Sequence, residues 1–120
     1  MLISYFFVGQ ITQRAPPVAR DIGLLEFEIL ATLLAQPQDA YGVTIRDRIE
    51  ERAGRKVSIG AIYTVLERLE RKGFVSSWWG EPTEERGGRR KRLYKIEAAG
   101  ELAGRRFEAR LPRFAAPAPA

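Results

Sequence analysis

Whatever chemistry this chain performs is done without imidazole or thiol, because its 120 residues contain no His and no Cys. That removes the commonest general base, the commonest metal ligand, thiolate metal sites and disulfides. Three carboxylates, Asp47, Glu67 and Glu70, could in principle support metal-assisted phosphodiester cleavage. Glu67 and Glu70 stand three apart in an Arg-rich stretch, however, which is the arrangement of ion pairs on a solvated helix face. Trp78-Trp79 could stack a planar ligand, although aromatics in a strand more often fill the gap between a hairpin and its helices. What remains is recognition chemistry, and two groups of residues carry it. One comprises Ser58, Gly60, Ala61, Tyr63, Thr64 and Arg68, small and hydrogen-bonding groups followed by a long cation. The other is Arg86, Arg89, Arg90, Lys91 and Arg92, five cations within seven residues. A formal charge of +5 and a pI near 10.0 agree with a polyanionic partner.

The first group must sit on a helix to act together. Ser58 is a good N-cap, Ile59, Ile62, Leu66 and Leu69 line one face at three- and four-residue spacing, and Gly73 stands where a left-handed residue ends the helix. The opposite face carries Gly60, Tyr63, Thr64, Glu67, Arg68 and Arg71. A helix that enters a major groove needs such a face, close-approaching at its start and cationic along its flanks. A helix from Ala40 to Ala53 precedes it, with Asp39 as cap, Tyr41, Ile45, Ile49 and Ala53 four apart, and Gly54 at the end. Only Gly54 to Val57 separates the two, the spacing of a helix-turn-helix. Upstream, a helix capped by Asp21 runs through Leu24, Phe27, Leu30, Ala31 and Leu34 and stops before Pro37; Leu25, Ile29 and Leu33 make it apolar over most of its circumference. Such a helix is central in a small core, shared with a second subunit, or both.

After Gly73 the period becomes that of strands. Phe74 to Trp79 and Arg92 to Ile96 read as partners, joined by the long basic loop Gly80 to Lys91, so that the second cationic group lies on a hairpin. A basic hairpin directly after a helix-turn-helix has the form of a wing, there to contact phosphates. Ala98 to Leu111 is a final helix with Leu102, Phe107 and Leu111 as apolar points and Gly100 and Gly104 weakening it. Residues 1–20 are an extension and linker. Within them Met1 to Val8 is apolar but lacks the basic start of a secretory signal; it is either an extra packed element or a gene-start extension with little structure. Pro16-Pro17 breaks any helix there, and residues 112–120 form an Ala/Pro tail expected to be disordered.

Several of these residues together resemble a known family. Leu24-Leu25 to Leu34, Ala40-Tyr-Gly-Val-Thr-Ile45, Ser58-Ile-Gly-Ala-Ile-Tyr63, Leu66 to Gly73 and Gly88-Arg-Arg-Lys-Arg-Leu-Tyr-Lys-Ile96 followed by Gly100 are similar to the PadR-type transcriptional regulators over about residues 21–104. Where the family usually carries a capping Thr before the final helix, this chain has Glu97. The resemblance implies a winged-helix repressor of bacterial type that dimerises through its first and last helices and is released from its operator by an effector or stress.

The expected architecture is therefore mainly α with a small β-hairpin: a winged helix-turn-helix with a three-helix core, a two-stranded wing and a C-terminal helix. Residues 21–104 make the DNA-binding domain, and residues 98–111 add a helix suited to dimerisation. The expected function is sequence-specific binding of double-stranded DNA by a cytoplasmic homodimer, acting as a repressor on a palindromic operator and answering to a small-molecule effector. No enzyme activity, cofactor, metal or membrane contact is expected. DNA contacts are expected from Ser58, Gly60, Ala61, Tyr63, Thr64 and Arg68, from Tyr41 at the start of the preceding helix, and from Arg86, Arg89, Arg90, Lys91 and Arg92. Dimer contacts are expected from Leu24, Phe27, Leu30, Leu34, Leu102 and Phe107. The competing reading is a winged helix whose wing and charged helices dock a protein instead; strongly salt-dependent duplex binding separates the two.

Overall fold

The computed structural model describes residues 22–82 and 90–111. Met1 to Val8, the Pro16-Pro17 linker, the expected cap Asp21, the wing cations Arg86 and Arg89 and the 112–120 tail lie outside the described residues. The elements follow in the order α1 (Leu24–Ala35), α2 (Gly42–Ala53), α3 (Ile59–Arg71), β1 (Val75–Trp79), β2 (Arg92–Ile96) and α4 (Ala98–Arg110). Among the described residues, four helices and one antiparallel two-stranded ribbon give the mainly helical winged helix-turn-helix that the sequence predicts.

Helix α1 starts at Gly23 and not at the expected Asp21. Its first turn is closed from inside, since the Glu26 carboxylate accepts the Gly23 N–H at 2.9 Å. The other oxygen of Glu26 meets Lys72 Nζ at 2.8 Å, so one buried carboxylate ties the start of α1 to the end of α3. The nearly all-round apolar character of α1 is divided between two uses. Ile29, Leu30 and Leu33 are fully buried in the core, whereas Leu24 and Leu34 are 53% and 38% exposed.

Helix α2 begins later than expected, with Tyr41 as its N-cap in place of Asp39. Asp39 instead takes a left-handed conformation (φ 52°) that turns the chain, and the capping is done by Thr44, whose hydroxyl oxygen accepts the Tyr41 N–H at 3.0 Å. The turn that follows matches the sequence reading. Gly54 has φ 71°, and Glu50 accepts the Val57 N–H at 2.8 Å. Ser58 Oγ then accepts the Ala61 N–H at 3.1 Å and opens α3.

Helix α3 buries Ile62, Val65, Leu66 and Leu69, each fully buried Leu or Ile contributing about 1.5–3 kcal/mol. It ends in a Schellman motif. Gly73 (φ 80°) donates to the Glu70 carbonyl at 3.0 Å and Phe74 to the Leu69 carbonyl at 2.9 Å, with Leu69 and Phe74 both buried. This use of Phe74 is why β1 starts at Val75, one residue later than expected.

In the ribbon Val75 pairs with Ile96, Ser77 with Tyr94 and Trp79 with Arg92. Tyr94 donates its N–H to the Ala40 carbonyl at 2.9 Å, which fixes the ribbon to the loop before α2. Glu97 makes no side-chain cap for α4; its carboxylate accepts the Ser76 hydroxyl instead. Gly100, expected only to weaken α4, has a structural use. A Cβ there would lie 2.2 Å from the Phe74 carbonyl oxygen, so glycine permits the close approach of α4 to the ribbon. Along α4 the buried positions are Gly100 and Ala103, and Phe107 stacks on Phe27 of α1 with centroids 4.8 Å apart.

Candidate nucleic-acid interface

The fold presents one face of α3 to solvent, and it is the face that the sequence singles out. Ser58, Gly60, Tyr63, Thr64, Glu67, Arg68 and Arg71 are all exposed, and Ala61 is half-buried. Nothing lies within 4 Å of a Cβ built on Gly60, so the first turn of the helix is open to an approaching surface. Arg71 and Glu67 form a loose pair at 3.9 Å with both side chains mostly in water, worth little to stability. Arg68 stands on the same face, one turn nearer the start than Lys72, whose ammonium is committed to Glu26.

Two interactions join this face to its neighbours, and neither is evident in the chain's periodicity. The Tyr63 ring lies against the backbone of Gly42, where a Cβ would come within 2.5 Å of the ring. Gly42 is therefore the residue that allows Tyr63 to rest on the start of α2. Beside it, Lys91 Nζ sits 4.5 Å from the centre of the Tyr41 ring, a cation–π interaction that brings the base of the wing to the same place. Tyr41, Tyr63 and Lys91 come from three separate stretches, and the fold gathers them at one end of the exposed α3 face. In the sequence, the adjacent Tyr41-Gly42 pair is the signal that points to this junction.

The wing cations divide into different roles. Arg90 is exposed, while Lys91 rests on Tyr41. Arg92 is held from several sides: its Nε donates to Ser77 Oγ at 3.0 Å, Ser77 in turn donates to Glu70 at 2.7 Å, and its guanidinium stacks over Trp79 at 5.0 Å. Glu70 thus binds the ribbon to α3. Among the described residues no group of His, Cys, Asp and Glu is arranged to hold a metal ion. Below this network Tyr94 is buried, and burial raises its hydroxyl pKa above the ordinary 10.0; Arg92 opposes the shift, and Glu70 and Tyr63 add to it. Tyr94 accordingly stays a neutral core residue at physiological pH.

Trp78 and Trp79 do not fill a gap beneath the wing, the expected place for aromatic strand residues. They are 46% and 56% exposed. Being adjacent in a strand, they point to opposite faces of the ribbon.

The residues expected to make dimer contacts lie on α1 and α4, away from α3. Leu24 and Leu34 are exposed, Phe27 and Phe107 half-buried, and Leu30, at 1% exposure, belongs to the core of the single chain. Leu102 of α4 is half-buried as well. Between these helices opens a mainly apolar cavity of about 420 Å³, bordered by Phe27, Ala31 and Leu34 on one side and Gly104 and Arg105 on the other. Arg105 is paired with Glu101 at 2.8 Å. Among the described residues no helix is long and apolar enough to cross a membrane.

Comparison with known proteins agrees with this fold. Residues 29–106 match the model of the transcriptional regulator PadR-like family. No curated protein sequence matches the chain. Among solved structures, a PadR-like transcription factor from Bacteroides fragilis is 30% identical, with a TM-score of 0.58 over 71% of this chain and 77% of that one. A transcriptional regulator from Thermoplasma acidophilum shares the fold at 24% identity and TM-score 0.65, covering 76% of this chain and 82% of that one. Bacillus subtilis PadR, whose structure was determined in complex with operator DNA, shares the fold at 20% identity and TM-score 0.62, covering 80% of this chain and 50% of that one.

Proposed function

This chain belongs to the PadR-like family of transcriptional regulators, and on that premise we propose that it binds double-stranded DNA as a homodimer and represses transcription from a two-fold symmetric operator. The observation that carries the proposal is the exposed face of α3: an open first turn at Gly60, hydrogen-bonding Tyr63 and Thr64 next, then Arg68 and Arg71, with the cationic base of the wing alongside. In this reading the start of α3 reads base edges, and Tyr41, Arg90 and Lys91, joined by Arg86 and Arg89, hold phosphates. That a fold relative was solved with operator DNA supports DNA as the partner. The DNA-binding unit is residues 21–104.

Dimerisation is assigned to the outer side of α1, where Leu24 and Leu34 would otherwise remain in water, together with Leu102 and Phe107 of α4. The cavity between α1 and α4 is the natural entry for a small effector, since it touches the helices that would set the spacing of two recognition helices. The assignment is tested by selecting duplexes from a random library and by sedimentation at micromolar concentration. Enriched sites should be two-fold symmetric with half-sites about 10 base pairs apart. Failure to enrich any sequence would refute the DNA reading and leave protein docking in its place. A monomer that binds the selected duplex undiminished would refute the dimer.

A further inference from the structure

We propose that Trp79, with Arg92 stacked on it, is an additional DNA-binding group of this chain: the indole covers a deoxyribose of the strand that passes between α3 and the wing, and the adjoining cation faces its phosphate. The proposal rests on the DNA-binding reading above and adds an apolar interaction that its charges do not supply.

The placement follows from register. Residues directly opposite in an antiparallel ribbon share a face, so Trp79 and Arg92 lie on the same side as the pairs Ser77–Tyr94 and Val75–Ile96. Val75 and Tyr94 are buried against the helices, and Ser77 is bonded to Glu70 of α3. Trp79 continues this face past the end of the core, on the side from which Ser77 and Arg92 reach Glu70 of α3. There it is 56% exposed. Trp78, on the other face, pairs with Leu93 and points away from α3. The Trp79 platform is also rigid, because the guanidinium over its ring is anchored through Ser77 to Glu70.

A single exposed aromatic is ordinary on a protein surface, but this one is stacked with a cation on the ribbon face that is bonded to α3, next to the proposed DNA-binding surface. Indole suits a nucleic-acid backbone, for it has an apolar face for the sugar and one N–H that can donate to a phosphate oxygen. Such an interaction is not ionic, so its removal should lower affinity without changing counterion release.

The experiment uses the full chain, the tightest duplex recovered from a random library, and a scrambled duplex. Trp79→Ala should melt as wild type, lose about tenfold in affinity for both duplexes, and keep the wild-type salt slope. Trp79→Phe should recover most of that affinity. The chain has two tryptophans, so Trp78→Phe leaves Trp79 as the sole reporter; its emission should shift and its quenching by acrylamide should fall when duplex saturates the protein. Unchanged affinity of Trp79→Ala, or an unchanged emission and acrylamide accessibility, overturns the proposal. If wild type itself retains no duplex, the DNA-binding reading falls first, and the two failures are told apart by that control.

Discussion

Replacing Gly60 by Leu separates folding from recognition more cleanly than any other change on this surface. In the folded chain a Cβ at Gly60 meets nothing within 4 Å, and the residue is exposed in the first turn of α3. The Cβ of a Leu at this position therefore meets open space, and the exposed helix face leaves the rest of the side chain room in solvent. It removes the entropic cost of a helical glycine, a gain of about 0.5–1 kcal/mol in a helix interior and less in a first turn. For a domain of this size that corresponds to a melting temperature unchanged or higher by up to roughly 4 °C. In the proposed complex the same side chain would fill the space through which the helix backbone approaches the base edges. Withdrawing the helix by even a side chain's thickness breaks the short hydrogen bonds on which specificity depends, and specific binding stands about 4–10 kcal/mol above non-specific binding. We expect specific binding to vanish, affinity for the selected duplex falling to that for a scrambled one. Thr64→Ala is the companion: it should keep phosphate affinity and relax preference at one base pair by about 1 kcal/mol or more. The assay is competition titration of both variants against selected and scrambled duplex, with melting curves. Normal binding by Gly60→Leu would mean that α3 does not face DNA, and protein docking would become the better account.

Other expectations follow from the same geometry. Replacing Arg89, Arg90 and Lys91 together by Ala should weaken binding to all duplexes alike and lower the slope of log affinity against log salt by about 0.9 for each phosphate no longer neutralised; an unchanged slope would count against the wing as a phosphate clamp. Gly100→Ala drives a Cβ into the Phe74 carbonyl, which belongs to fixed backbone, and should destabilise by about 1–3 kcal/mol or more in denaturant titrations. Gly104→Ala, with nothing within 4 Å, should be neutral or stabilising by up to about 1 kcal/mol, and equal effects at the two glycines would refute the packing argument. Gly42→Ala meets the end of the Tyr63 ring, a movable and 47% exposed side chain, so the ring should swing away at small cost in stability. Duplex affinity should fall further than that cost, and reduced stability with intact binding would place Tyr63 outside the interface.

Much of this molecule is legible along the chain because the deciding signals are local. Ser58 as a cap, the 59-62-66-69 stripe, Gly54 and Gly73 at positive φ, and the change to strand period after Gly73 each depend on a few consecutive residues, and the helix-turn-helix and wing follow from them. The exposed face of α3 follows as well, since burying one side of an amphipathic helix leaves the other in water. Start points are less legible. At Tyr41 the cap is supplied by Thr44 while Asp39 turns the chain, and at Gly23 by Glu26, whose second oxygen answers a lysine 46 positions away. Tertiary structure alone decided which faces meet. Gly42 beneath Tyr63, Gly100 against Phe74, Lys91 on Tyr41 and Trp79 beneath Arg92 join segments that are separated along the chain, and no periodicity encodes a distance in space. The same holds for α1, where composition shows an apolar surface on nearly every side. Only packing shows that Leu30 is spent within the chain's own core while Leu24 and Leu34 remain in water, because burial depends on what other elements cover.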